Sequence, residues 1–294
     1  MKTADREREL RGGRAAAGGP DGQGLPYSAR RAARAFTMIE IAISLAVIAF
    51  AMVAIIGVLP IGMNTQKDNR EETIINQDAV LLMEAICSGA RGLDYLTNYV
   101  VAITNWVTLC DPSGHPSLAT DVYGYTYTES SCNGTPLDPP FPLTNGLRIV
   151  GLLSTPKYLL PPGGGWGNTS YLSNRVVAYV RSLSGSASEK APQDNKDAQD
   201  FAFSYRVTAE VVPCWTNYID PSWIQSPADL AVAKNLQANL HDVRLLFRWP
   251  LRSRGQLGTG SQSYRTLVGG RLAQINDIGY PLFFFEARNY TNAP

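Results

Sequence analysis

Residues 41–63 read IAISLAVIAFAMVAIIGVLPIGM, twenty-three positions without one charge. As a helix this run is long enough to span a bilayer, which takes about 20 residues. A secretory h-region is shorter, roughly 7–15 residues, and is followed by a small-residue cleavage site. No such site follows here, so the expectation is a span kept in the mature chain. Arg30, Arg31 and Arg34 stand just before the run, whereas its far side mixes Lys67 and Arg70 with Asp68, Glu71 and Glu72. That Lys/Arg bias predicts a cytoplasmic N-terminus and export of everything beyond the span.

Working outward, residues 1–35 are rich in Arg, Gly and Ala and show no apolar periodicity, so they read as a basic leader that does not fold alone. Downstream, the pattern turns amphipathic instead of ending. Ile75, Ala79, Leu82 and Ile86 form a helical stripe opposite Glu72, Gln77 and Glu84. One helix is therefore expected from the membrane segment, 36–63, through an amphipathic continuation, 64–92, stopping near Ser88 at Gly89 and Gly92. Gly57 and Pro60 should weaken it, because proline removes a backbone donor and crowds the preceding turn.

The remainder, 93–294, reads as a head domain. The composition of the whole chain is that of a folded protein, with 45% hydrophobic and 17% charged residues, which excludes disorder throughout. Net charge is +1, but residues 1–35 hold eight basic and four acidic residues, leaving eighteen against twenty-one after them. The head thus has no global positive field for nucleic acid or an anionic membrane surface. Between 93 and 171, clusters of Pro, Gly, Asn and Ser suggest a long connection with embedded short strands. Beyond it, β-branched and aromatic residues alternate in 175–183, 201–212, 243–249 and 264–268. About four antiparallel strands packed on the outer half of the helix make an α+β fold.

The string Ala35-Phe36-Thr37-Met38-Ile39-Glu40, a basic leader before it and a full span after it, resembles the processing site of type IV pilins and pseudopilins. The helix start, with the pair 243–251 and 263–270, is also similar to the Verru_Chthon cassette pilin-like proteins. The resemblance implies a membrane prepilin peptidase cutting the Ala35–Phe36 bond and methylating the new amine of Phe36. Glu40 then falls fifth in the mature chain, where the family has its glutamate. One departure is Ala35, since the family usually has Gly before the cut. The implied fold is a pilin-like long helix on an antiparallel sheet. The implied partners are the prepilin peptidase, other pilin or pseudopilin subunits and the inner membrane. The implied role is a minor structural subunit of a type IV pilus or type II secretion pseudopilus, with an inner-membrane N-terminus and a periplasmic head. No cofactor or enzymatic activity is implied. A membrane-anchored binding module for polysaccharide, a surface or DNA is the competing reading.

A carboxylate at the head of an apolar helix asks for a reason. Two stand open for Glu40: the helix dipole favours an anion in the first turn, and in the family the carboxylate meets a Phe36 amine, its own or a neighbour's, which fixes register between subunits. Elsewhere, His115 and His241 lie in no zinc spacing, and no P-loop or nucleophile-elbow string occurs. Asp194, Asp197 and Asp200 have oxygen ligands of the kind calcium takes, but Lys196 interrupts them and the spacing fits no EF-hand. The four cysteines allow three complete pairings. In an exported domain Cys110 and Cys132, flanking a Tyr-rich loop, are the expected bridge, against four independent thiols. Tyr123, Tyr125 and Tyr127 alternate as a strand would, with one-sided packing the default reading.

Overall fold

A computed structural model describes residues 36–111, 115–126, 131–132, 135–136, 140–159, 170–184, 203–214, 226–252, 255–277 and 280–292. The basic leader lies outside these. The chain divides into two units at Pro60, residues 1–60 and 61–294.

The first unit is described from Phe36, and its element is the start of α1 (Met38–Ser88). This helix is long and apolar enough to cross a membrane. Pro60 lies inside it, so the Ile56 carbonyl loses the N–H that an ordinary residue would offer.

In the second unit α1 becomes a core element. The stripe residues Ile75, Ala79, Leu82 and Ile86 are all buried. The helix ends in a Schellman motif: Ala90 N–H donates to the Ala85 carbonyl at 3.1 Å, and Gly89 N–H donates to the Ile86 carbonyl at 3.0 Å. Gly89 has φ +61°, and a Cβ there would come within 2.1 Å of the Phe285 carbonyl oxygen, so the stop signal is also a packing requirement.

Next come β1 (Val100–Cys110), β2 (Pro116–Thr126), the two-residue pair β3 (Ser131–Cys132) and β4 (Thr135–Pro136), and β5 (Pro140–Pro142). Then follow α2 (Gly146–Leu153), β6 (Tyr158–Leu159), β7 (Tyr171–Arg181), β8 (Ser204–Pro213) and α3 (Pro227–Asn239). The chain ends with β9 (Leu240–Leu251), β10 (Leu257–Gly269), β11 (Arg271–Asp277) and β12 (Tyr280–Glu286). The main sheet has eight strands, in the order β10-β9-β8-β7-β1-β2-β5, with β6 beside β7. All pairings are antiparallel except β2 with β5. An α+β architecture results.

The four expected strands are present as β7 to β10, adjacent and antiparallel. The 93–171 stretch is more than a connection, however. It contributes β1 and β2, eleven residues each, and β1 lies in the interior of the sheet between β7 and β2. Apolar side chains of β7, β8 and β9, among them Val176, Val207 and Phe247, form one core with the α1 stripe, α2 and the β11–β12 hairpin.

One polar residue interrupts the buried stripe. Asp78 of α1 is fully buried, and its carboxylate accepts hydrogen bonds from Leu183 N–H at 2.9 Å, Ser184 Oγ at 2.6 Å and Tyr205 OH at 2.8 Å. Among the described residues no Lys or Arg forms an ion pair with it. Burial pushes its pKa up, against the lowering effect of these donors. Converging donors fix the rotation of α1 on the sheet, because a turned helix would leave the donors and the carboxylate unpaired in the core. We predict that Asp78→Asn, which places an amide N–H₂ against these donors, lowers unfolding stability by about 2–3 kcal/mol. Denaturant unfolding of the full-length protein in detergent measures it, and a loss within experimental error of zero would show that the donors find other partners.

Candidate functional site

The first turn of α1 is built from Thr37 and Glu40. Thr37 N–H and Oγ1–H both donate to Glu40 Oε2, at 2.8 and 2.9 Å, and Glu40 N–H donates to Thr37 Oγ1 at 3.3 Å. This reciprocal arrangement is a capping box, which satisfies donors that a helix start otherwise leaves open. The carboxylate therefore has a specific local partner in addition to the helix dipole. Phe36, directly before it, is exposed, and Ala35 lies outside the described residues.

Beyond that turn, every side chain from 36 to 63 is exposed. Isoleucines, valines and leucines on all sides of the helix are exposed among the described residues. Even Met38 and Phe50 are 86% and 78% exposed. Such a surface is far larger than the apolar patches that soluble monomers leave in water. The hydroxyls within or beside the run are already satisfied: Ser44 Oγ donates to the Glu40 carbonyl at 2.7 Å and Thr65 Oγ1 to the Ile61 carbonyl at 3.0 Å. Apart from the Ile56 carbonyl, which Pro60 leaves without its helical donor, the helical backbone and these hydroxyls are paired within the run, which favours burial in lipid or against other apolar helices.

Other sequence candidates separate from this site. Cys110 is buried with a free thiol, and the side chain of Cys132, its expected partner, lies outside the described residues. Cys87 and Cys214 are also free, and burial raises both thiols. Asp194, Asp197 and Asp200 lie outside the described residues. Tyr125 is buried, and Tyr123 and Tyr125 pack on Tyr280 with ring centres 4.5 and 5.7 Å apart. They are core aromatics, whereas Tyr127 lies outside the described residues.

A second feature had no sequence signal. A pocket of about 590 Å³ is lined by Tyr158, Pro213, Gln237, His241, Arg271 and Phe283, among others. These positions are distant in sequence and meet only because α3, β9 and the β11–β12 hairpin converge. His241 is buried against Phe285, ring centres 5.3 Å apart, and its Nδ1 and Gln237 Nε2 have no hydrogen-bond partner. Among the described lining residues none is Asp, Glu, Ser or Cys, so no carboxylate, serine or thiol stands ready to exchange a proton with the imidazole.

No protein-family model matches the chain, and neither a curated protein nor a solved structure does.

Burial depresses the His241 pKa from 6.5 to about 4. The unfolded chain therefore binds a proton that the folded chain refuses, and stability falls as pH drops from 6.5 toward 4. We predict that this site contributes about 3 kcal/mol of acid sensitivity over that window. His241→Phe should flatten the slope, which unfolding curves at stepped pH would show; an unchanged slope would assign it to other groups.

Proposed function

We propose that this chain is a pilin-like structural subunit, processed by a prepilin peptidase between Ala35 and Phe36 and built through α1 into a type IV pilus or type II secretion pseudopilus. The observation that carries this reading is the division of labour within one helix. Its first half is apolar on every side and uncovered, and its second half is the buried spine of an α+β head. A solitary anchor needs only lipid around it, whereas a subunit must leave lipid and pack on neighbours through the same surface. The motif at residues 36–40 supports the second case. In this reading the head is periplasmic, the chain passes once through the inner membrane before assembly, and the role is mechanical rather than catalytic.

Cleavage would turn the Phe36 nitrogen into an ammonium one residue before the Thr37 N–H that already donates to Glu40. The carboxylate then has two candidate roles, the cap and a charge pair with its own or a neighbour's Phe36. Peptide mass analysis of membranes from a host with an active prepilin peptidase should find chains beginning at methylated Phe36. Recovery only of chains retaining the leader would overturn the reading.

The roles of Glu40 separate by substitution. Gln at the third helical position still completes a capping box, whereas Val does not. If the charge pair governs assembly, Glu40→Gln and Glu40→Val both reach the membrane, and both lose incorporation into sheared filaments by more than about tenfold. If the cap alone matters, Glu40→Gln incorporates like the unmodified protein.

A further inference from the structure

The face of the main sheet turned away from the core carries an unusual set of cations. Val207 and Phe247 point into the core with the α1 stripe, so by strand alternation their neighbours Arg206 and Arg248 lie on the opposite face. The two arginines are directly opposed across β8 and β9, and Tyr179 of β7 stands opposite Arg206 on its other side. Like charges at directly opposed positions destabilise a sheet. Here the conflict is sharper, because the Nε atoms of both arginines are buried and neither has a hydrogen-bond partner. Buried polar atoms in native proteins are nearly always paired, so two such atoms side by side call for an explanation.

Arg175 of β7 adds a third positive charge, with its guanidinium 5.7 Å from the centre of the Trp106 ring. Burial, followed by the neighbouring Arg248 and Arg175, pushes the Arg206 pKa down, and only Tyr179 opposes this. The acids on the same face are already engaged. Glu210 holds Lys157 at 3.0 Å, and Asp242 holds both Arg244 and Arg265, at 2.5 and 2.8 Å. Burial alone would raise the Asp242 carboxyl, yet these two arginines hold it below its ordinary value. Among the described residues the carboxylates on this face are therefore committed, and none forms an ion pair with the opposed arginines.

We propose that Arg206 and Arg248, with Arg175 beside them, form a binding site for a doubly charged phosphate group. Guanidinium forks match phosphate oxygens in pairs, and the missing partners of the two Nε atoms are hydrogen-bond acceptors. A phosphate monoester or inorganic phosphate carries about −1.5 to −2 at neutral pH, enough to neutralise the opposed pair, whereas a carboxylate would leave one charge uncompensated. A long polyanion fits less well, because Glu210 and Asp242 stand along the same face and would face its further charges. The Trp106 ring, covered by Arg175, offers no free platform for a nucleic-acid base. The shared chemistry is the phosphate dianion, free in solution or esterified to another molecule.

The test uses the full-length protein in detergent, with thermal unfolding followed in phosphate and in chloride at matched ionic strength. Phosphate should raise Tm with increasing concentration, as a ligand of the folded state does. The double variant Arg206→Gln/Arg248→Gln should lose that rise, yet in chloride it should unfold no lower than the unmodified protein, because a repelling pair has been removed. Arg206→Lys keeps the charge without the fork and should bind phosphate at least about tenfold more weakly. Glycerol phosphate distinguishes the sources: tighter binding than inorganic phosphate assigns the site to an esterified group, and equal or weaker binding to the free ion. An equal phosphate response in the double variant would overturn the proposal, as would no response in the unmodified protein up to about 50 mM. Tighter binding of a short DNA duplex through these same arginines would overturn the small-ligand assignment.

Discussion

The helix-to-sheet junction depends on a carboxylate where an apolar side chain would be expected. Asp78 lies among Ile75, Ala79 and Leu82 and receives donors from Leu183, Ser184 and Tyr205. Apolar stripes are forgiving about rotation, because one isoleucine fits nearly where another did and the area term has no direction. A buried carboxylate is not forgiving, since each lost donor leaves two groups unpaired in a low-dielectric interior. Asp78 therefore supplies the specificity of the helix seat, and the surrounding aliphatics supply most of its free energy. Asn76 adds a second polar tie at the edge, accepting from Tyr264 OH and Gln262 Nε2 of β10.

Several parts of this arrangement are legible in the amino-acid sequence, and the reasons differ by element. The stripe at 75, 79, 82 and 86 has one buried and one wet side, which is the condition under which periodicity reports structure. The strands β8 to β10 show alternation for the same reason, clearest in β10, whose outward residues Ser261, Ser263 and Arg265 are exposed, whereas β7 is buried on both faces from Val176 to Val180. β1 is hidden because Thr104 and Asn105 interrupt its apolar residues, although both are buried in this interior strand between β7 and β2. β2 is hidden because Pro116 and Gly124 look like breakers, yet both lie within a paired strand. Asp78 is illegible in principle, since a lone acid on an apolar stripe looks like an interruption until its donors arrive from more than a hundred residues away.

The candidate sites divide along the same line. The start of α1 is local, and the Thr37-Met38-Ile39-Glu40 spacing states its capping box within four residues. The His241 pocket and the Arg206–Arg248 pair are made by long-range register, which no local pattern encodes. Gly260 is similar, because its lack of a side chain matters only once β10 pairs with β9 and the Trp249 ring comes within 2.5 Å of where a Cβ would be.

Pro60 has a mechanical meaning for a helix whose apolar start and buried end belong to one continuous element. Tension applied along α1 is carried by its ladder of backbone hydrogen bonds, and that ladder lacks one rung where Pro60 cannot donate to the Ile56 carbonyl. The stretch from Ile75 to Ile86 is braced by buried side chains, so it shares load with the sheet. The residues around Gly57 and Pro60 are exposed among the described residues, so there the load falls on the ladder. Under such tension the turn at Pro60 has one hydrogen bond fewer than its neighbours to hold it closed.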